Sequence, residues 1–438
     1  MSRIIRAPSP RRVIAILLLG SLTAGAASHA ETLADAWGLA LQQDRALAAT
    51  RSQAQAAGFE AQAARAQRWP TVSVAGAYTQ LDDSPAFDFS FTGLPVAPPE
   101  LFKDDSYVSG TAALTVPLFT SGRISSSIAA AEARERGAGA QVVAATSDLK
   151  LAVADAYVGV LRARKALAVA SSNVRTLEGL ASDTRSMFER ELVPKNELLA
   201  AEVALADARQ NELRARNAAA VALAVYNRRL GAPLDREIEL SETIEVPLEV
   251  GQDLPALIEQ AQARRTELAA LDAQAEAFGQ LARIERSRVL PQVALSGGYQ
   301  YLENQFLDDE TVGMAGIGVQ WSLFDGGQSR KRAAALDRNR HAAEQQRADA
   351  ASQIELQVRQ AYMGVDEARQ RVAVNARAAE QADESLRIAR ERYNAGLGTQ
   401  TQLLEAETLR VQALKNRDDS TLDASLAQLR LARAVGAL

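Results

Sequence analysis

There is no cysteine in this 438-residue sequence. That excludes a disulfide framework, a thiolate nucleophile and a lipid attached through an N-terminal cysteine. Histidine is almost as rare, with two copies. One of them, His29, falls in a leader, and His341, in "RNRHAAE", has no second imidazole or thiolate with which to hold a metal. Beyond the leader no stretch reaches the roughly 18 apolar residues of a membrane-spanning helix. A formal charge of −5 with no basic patch argues against a nucleic-acid partner. No nucleophile turn or phosphate loop occurs, and the many acids are spaced along solvated helix faces. The sequence therefore reads as a non-enzyme with no cofactor and no metal.

The leader is explicit. Arg3, Arg6, Arg11 and Arg12 form a basic region, "VIAILLLGSLTAGAA" (13–27) an apolar one, and Ser28 and Ala30 the small residues before a cut ahead of Glu31. Residues 1–30 read as a signal peptide. Its removal takes away four arginines and no acid, leaving 408 residues with a formal charge of −9.

The mature sequence is written twice. "LTVPLFTSGR" (114–123) returns 205 residues later as "VQWSLFDGGQ" (319–328). "AYVGVLRARKAL" (156–167) falls on "AYMGVDEARQRV" (361–372), "LLAAE" (198–202) on "LLEAE" (403–407), and Gly231 on Gly436 at the same offset. Upstream, "WPTVSVAGAYTQL" (69–81) matches "LPQVALSGGYQYL" (290–302) at an offset of 221. The 16-residue difference must lie in the loop between two strands.

Each copy predicts helix, strand, loop, strand, long helix, turn, helix. The first spans 31–230, with strands near 70–81 and 107–118, a long helix near 122–190, a turn at 191–195 and a helix at 195–230. A linker occupies 231–253. The second copy, 254–438, has a helix at 254–289, strands near 291–302 and 312–323, and a long helix near 326–394. A turn at 395–399 and a helix at 399–436 complete it. Pro70 and Pro291 end the opening helices by forcing the preceding residue out of helical geometry. Val72, Val74 and Tyr78 alternate with Thr71, Ser73 and Thr79, the period of a strand. Such strands, about 10–12 residues each, are close to the 9–11-residue length of a tilted membrane strand, although one face of a soluble sheet has the same period.

The helices separate those readings. Stepping by four and three from Leu149 through Val153, Val160, Leu167 and Val174 to Phe188 meets apolar residues with one exception, a sustained coiled-coil seam. A second stripe (Leu151, Ala154, Val158, Leu161) places neighbours on both sides, as in a ring. At 1.5 Å per residue the long helix spans roughly 104 Å and the shorter ones about 54 Å. Two short helices end to end therefore match one long one. Four strands cannot close a barrel, which needs about eight, so several chains would have to pool theirs into eight, twelve or sixteen. Two rival readings, a periplasmic adaptor or a soluble coiled-coil scaffold, leave two membrane-length strand pairs unexplained.

The duplicated plan, "WSLFDGG" (321–327), "YNAGLGTQTQLLEAET" (393–408) and the terminal "RAVGAL" (433–438) resemble the TolC family of outer-membrane factors across essentially all of the mature chain. The resemblance implies a mostly α fold with a membrane β-barrel. That is a homotrimer whose twelve strands, four per chain, sit in outer-membrane lipid above a long α-helical periplasmic barrel. It further implies an exit duct for efflux or type I secretion. The partners would be a periplasmic adaptor (membrane fusion) protein and an inner-membrane transporter of RND, ABC or MFS type.

By the same resemblance the adaptor docks on the two turns at the periplasmic tip, through Leu192, Val193, Gly396, Leu397, Gly398 and Thr399. The alternative for the leucines is that they staple their own turns. Glu197, Gln402 and Glu405 are candidates for a constriction just inside the tip, where Gln402 departs from the family's acidic pattern. Thr399 and Gln402 also fit a capping box. The loops at 82–106, with Phe87, Phe89 and Phe91, and at 303–310 should face the exterior, as a lid, a receptor site or plain exposed loops. Asp308, Asp309 and Glu310 read as a solvated cluster. "RKR" (330–332) lies just inside the barrel, where lipid phosphates, the lumen rim or solvent would accept it.

Overall fold

The structure, a computed structural model, describes residues 30–85, 100–102, 104–246, 253–304 and 308–438. The leader up to residue 29, the Phe87, Phe89 and Phe91 segment of the 82–106 loop, the end of the linker and residues 305–307 lie outside the described residues. The elements are α1 (Leu33–Gln43), α2 (Arg45–Ala66), β1 (Thr71–Gln80), β2 (Ser106–Phe119), α3 (Arg123–Glu189), α4 (Lys195–Leu230), α5 (Leu254–Arg264), α6 (Thr266–Ser287), β3 (Gln292–Leu302), β4 (Thr311–Gln320), α7 (Gln328–Asn394) and α8 (Gln400–Ala434).

The opening helix of each copy is divided, where the sequence predicted one continuous rod. Asp44 adopts an extended conformation (ψ 121°) and its carboxylate accepts a hydrogen bond from the Leu47 N–H at 2.7 Å. Capping by aspartate satisfies a free helix N–H and starts a new helix there. Arg265 makes the matching break (ψ 112°) in the second copy. Each break receives the end of a long-range partner. Gly231 ends α4 in the left-handed region (φ +72°), and a Cβ there would lie 3.1 Å from Gln43. Gly436, with φ +75°, sits against Arg264, where a Cβ would lie 3.0 Å away. Only glycine meets both demands.

Both long helices run 67 residues, about 100 Å at the helical rise. α3 packs against α2 and α6 towards the sheet and against α4 and α8 towards the turns, while α7 packs on α6 and α8. Each half of the rod is thus a layer of four helices with α3 inside it and α7 at its edge. Burial reflects this order: α3 buries Val153, Ala154, Tyr157, Val158, Val160 and Leu161 on two stripes, while α7 leaves Leu356, Met363, Val374 and Ile388 exposed. On the opposite edge α4 exposes Leu199, Val203, Leu213, Val221 and Val225.

The four strands form one antiparallel sheet in chain order. β2 and β3 join the two copies through pairs such as Leu114↔Gly297 and Val116↔Leu295. β1 and β4 therefore form the outer edges, and nearly every residue of both is exposed.

Midway along the rod, polar side chains tie the chain ends to the linker. Glu31 is 8% exposed, its N–H bonds the Glu239 carbonyl at 2.8 Å, and its carboxylate accepts from Arg236 (2.7 Å) and the Tyr226 hydroxyl. Burial, reinforced by Glu31, pushes the Tyr157 phenol up to about 12. It stays a donor, 2.9 Å from the Glu31 carbonyl and 2.7 Å from that of Ser241.

The second copy uses Glu267, which accepts from Arg265 (2.9 and 3.0 Å) and from Arg433 (2.7 Å), while Arg433 also holds Asp148. Burial would raise the Glu267 carboxyl, but hydrogen bonds from the two guanidinium groups outweigh it and hold it at about 2. A carboxyl depressed in the folded state stabilises fully above its usual value of 4.5, and that contribution is lost as pH falls towards about 2. Glu267→Gln should lower stability at neutral pH by about 3 kcal/mol, as expected for breaking a mostly buried pair. It should also flatten the acid limb of the melting-temperature profile between pH 4.5 and about 2.

Candidate functional site

The sheet separates two chemistries across its faces. Register places Val72, Val74, Tyr78, Leu114, Val116, Leu295, Tyr299, Ile317 and Val319 on one side. Thr71, Ser73, Thr79, Thr111, Thr115, Ser296, Gln300 and Gly316 fall on the other, which is mostly small and polar but also carries Tyr107, Val312 and Met314. The apolar side is bare, with Val74 80% and Ile317 68% exposed. β4 ends at Gln320, so Trp321 and Leu323 lie beyond the strand that was expected to contain them. The Trp321 indole donates to the Val289 carbonyl at 3.1 Å and closes the end of the sheet over α6.

At the other end of the rod the two turns have one construction. The Leu192 N–H reaches back five residues to the Met187 carbonyl (2.9 Å), and Leu397 does the same to Arg392 (2.8 Å). This is the long bond of a Schellman ending, which needs a left-handed residue just before it. Gly396 supplies that in the second turn (φ +71°), whereas the first places Glu191 there (φ +59°). A non-glycine residue in this region costs about 1–2 kcal/mol. Gly398 lets the chain pass closely, since a Cβ would stand 3.2 Å from that of Arg392.

Pro194 occupies the N-cap position of α4 without a side-chain capping bond, whereas Thr399 and Gln402 form both bonds of a capping box at 3.3 Å. Leu192 and Leu397 are 69% and 73% exposed, so neither staples its own turn, and Val193 is half-buried. Glu405 is exposed, Gln402 is committed to its cap, and Glu197 is half-buried. One protomer therefore does not bring these three into a ring.

Glu197 instead meets a residue that sequence reasoning did not single out. Burial pushes the Tyr393 phenol up, and the neighbouring Glu197 and Asp183 carboxylates add to this. A second such residue is Glu407, 3% exposed, on the wall of a cavity of about 400 Å³ between α3, α7 and α8. Its Oε1 lies 3.5 Å from Arg410, and its Oε2 has no hydrogen-bond partner among the described residues. Burial pushes this carboxyl up against the pull of Arg410 and Arg390. The signal was available: Glu407 lies one helical turn after Leu403, and a charge on an apolar stripe marks a strained position. His341 is exposed and pairs with Glu344 on its own helix. Among the described residues no cluster of His, Asp or Glu could hold a metal ion.

Gly396→Val should destabilise its turn by about 1–2 kcal/mol. Hydrogen–deuterium exchange should quicken across 392–400 and remain unchanged in the strands and the mid-rod belt. Unaltered exchange in that turn would contradict the backbone account.

With this geometry in place, comparison with known proteins gives a consistent picture. The family model described as outer membrane efflux protein matches residues 37–231 and 257–437, one segment in each copy. The outer membrane efflux protein BepC of Brucella suis biovar 1 (strain 1330) is 29% identical over 155 residues. That match covers 35% of this chain and 34% of BepC, so the chain spans about a third of the length of that relative. Among solved structures, the outer membrane protein VceC of Vibrio cholerae superimposes with a TM-score of 0.78 at 19% identity, covering 92% of this chain and 96% of VceC. The CmeC outer membrane channel of Campylobacter jejuni gives 0.80 at 13% identity, over 92% and 85% of the two chains. The open state of the Neisseria gonorrhoeae MtrE outer membrane channel gives 0.73 at 16% identity, over 92% and 88%. At these identities the likeness establishes the fold.

Proposed function

We propose, from the premise that this chain belongs to the outer membrane efflux protein family, that it is the passive exit duct of an efflux or secretion assembly. The carrying observation is the sheet. An apolar face this exposed, bounded by two unpaired edges, has no place in water. In lipid each unpaired backbone group would cost several kcal/mol. Three copies, each offering β1 to the next copy's β4, would supply twelve strands and leave no edge. The same step round the ring would lay the exposed stripe of α7 (Leu356, Met363, Val374) beside the α4 stripe of its neighbour. The small and polar face of the sheet then lines the lumen, and the helical layers continue it as a periplasmic tube.

The two turns form the periplasmic end of that tube, and we assign adaptor docking to them. Leu192 and Leu397 offer exposed apolar contacts on rigid, hydrogen-bonded turns, which suit the hairpin tip of a periplasmic adaptor joined to an inner-membrane transporter. Glu405, with Glu197 and Gln402 nearby in sequence register, is the candidate acid for the constriction once three chains converge. A duct of this kind binds its cargo weakly, so selectivity rests with the pump.

The tests separate the parts. The mature protein should fractionate with the outer membrane and migrate as a heat-modifiable trimer. Recovery as a soluble periplasmic monomer would reject the duct in favour of an adaptor or scaffold. A photocrosslinker at Leu397 should capture the adaptor, and Leu397→Ser should weaken efflux while leaving the trimer intact; crosslinks confined to this chain would reject docking there. Divalent-cation block of single-channel conductance should weaken in Glu405→Ala, and an unchanged block would remove Glu405 from the constriction.

A further inference from the structure

The junction between β4 and α7 differs chemically from its repeat mate. In the first copy Ser125, Ser126 and Ser127 come just after the strand, and Ile124 and Ile128 are buried against Ala64 of α2. At the equivalent positions the second copy has Arg330, Lys331 and Arg332, all exposed, above a cavity of about 530 Å³. Its walls include Leu323, Phe324, Arg286, Asp325, Asp337 and Arg330. Both acids are already committed. Asp337 pairs with Arg286 at 2.5 Å, and Asp325 accepts from the N–H groups of Gly327 (2.9 Å) and Ser329 (2.8 Å).

The side chain of Arg330 has no hydrogen bond or ion pair among the described residues, nor do those of Lys331 and Arg332. Arg330 leaves the rim with uncompensated positive charge, and Lys331 and Arg332 add more on the adjoining surface of α7. Beside them Leu323 and Phe324 are 75% and 86% exposed, and Trp321, at 58%, carries the apolar face of the sheet down to the same level. At the far end of the sheet the charge reverses, with Asp82, Asp83, Asp104, Asp105 and Glu303 around the strand ends.

We infer that this junction is a binding site for an anionic phospholipid of the periplasm-facing leaflet. Its phosphate is held by Arg330 at the cavity, Lys331 and Arg332 raise the positive potential around it, and its acyl chain lies against Leu323 and Phe324. The inference rests on the duct reading, which puts the sheet in lipid and this end at the periplasmic surface. A guanidinium without a partner beside uncovered apolar side chains matches a headgroup phosphate above an acyl chain, whereas a free phosphate would leave Leu323 and Phe324 in water. Positive charge at this end and negative charge at the other would also set how deeply the barrel sits and which way it tilts.

The test uses the purified full-length mature protein in nanodiscs of phosphatidylethanolamine and phosphatidylglycerol in equal amounts. After mild detergent extraction, the co-purifying lipid is measured by mass spectrometry. The wild type should enrich phosphatidylglycerol about fivefold over the bulk ratio, the scale of one cation at an anionic surface. Combining Arg330→Gln, Lys331→Gln and Arg332→Gln should return the ratio to bulk, and Phe324→Ala should reduce the lipid retained without changing its composition.

Bulk composition in the wild type, or enrichment surviving the triple substitution, would overturn the site. Loss of the trimer in the triple variant with lipid composition unaffected would assign the arginines to a subunit contact instead. In the unaltered protein, phosphatidylglycerol should raise the trimer's melting temperature above that in pure phosphatidylethanolamine, and no rise would count against the site independently. A wild type that gives no heat-modifiable trimer refutes the duct itself, an outcome separate from all of these.

Discussion

A polypeptide that places four strands in lipid must find a partner for every backbone N–H and C=O, and this chain leaves two edges without one. β1 and β4 are long, exposed and unpaired within the protomer. Water would tolerate such edges but not the apolar face between them, and hydrocarbon would accept the face but not the edges. The proposed assembly would resolve the conflict, and the remaining design fits it. The strands alternate apolar with mostly small or polar residues, which in that assembly would turn one face to lipid and the other to a lumen. The apolar stripes on the outer edges of α4 and α7 are where the proposed ring would bring helices of neighbouring copies together.

A rod about 100 Å long poses a second problem, which is to keep its helices in register. Coiled-coil seams fix neighbouring helices laterally but tolerate sliding along the axis, because an apolar stripe looks similar at each turn. The mid-rod belt removes that freedom. Glu31, Arg236, Tyr157 and Tyr226 anchor the start of the chain to the linker, while Glu267, Arg265, Arg433 and Asp148 anchor its end to α3 and α6. The tight seats of Gly231 on Gln43 and Gly436 on Arg264 fix the same level in both copies. With the middle fixed, the ends can serve different chemistry: a sheet with one bare apolar face on one side, and on the other two turns that hold leucines out in water.

Duplication lets the copies diverge where geometry permits. The second turn has Gly396 where the first accepts strain at Glu191, and the second strand-to-helix junction has three cations where the first has three serines. The seams have no such latitude, since every position of the α3 stripe from Leu149 to Phe188 is at least partly buried.

Periodicity and repetition were enough to read the duplication, the four strands, the proline-free long helices and the two turns, because each depends on local spacing alone. The capping box of Thr399 and Gln402 and the helix spanning Lys195–Leu230 are of the same kind. The breaks at Asp44 and Arg265 escaped, since an aspartate inside a helical pattern is ambiguous, an arginine carries no start signal, and the glycines that seat beside them come from far along the chain. Burial of Glu31 and Glu407, and partial burial of Glu267, were likewise decided by tertiary structure. A carboxylate looks solvated in sequence until distant helices remove its water and supply, or in the case of Glu407 Oε2 fail to supply, the partner it then requires.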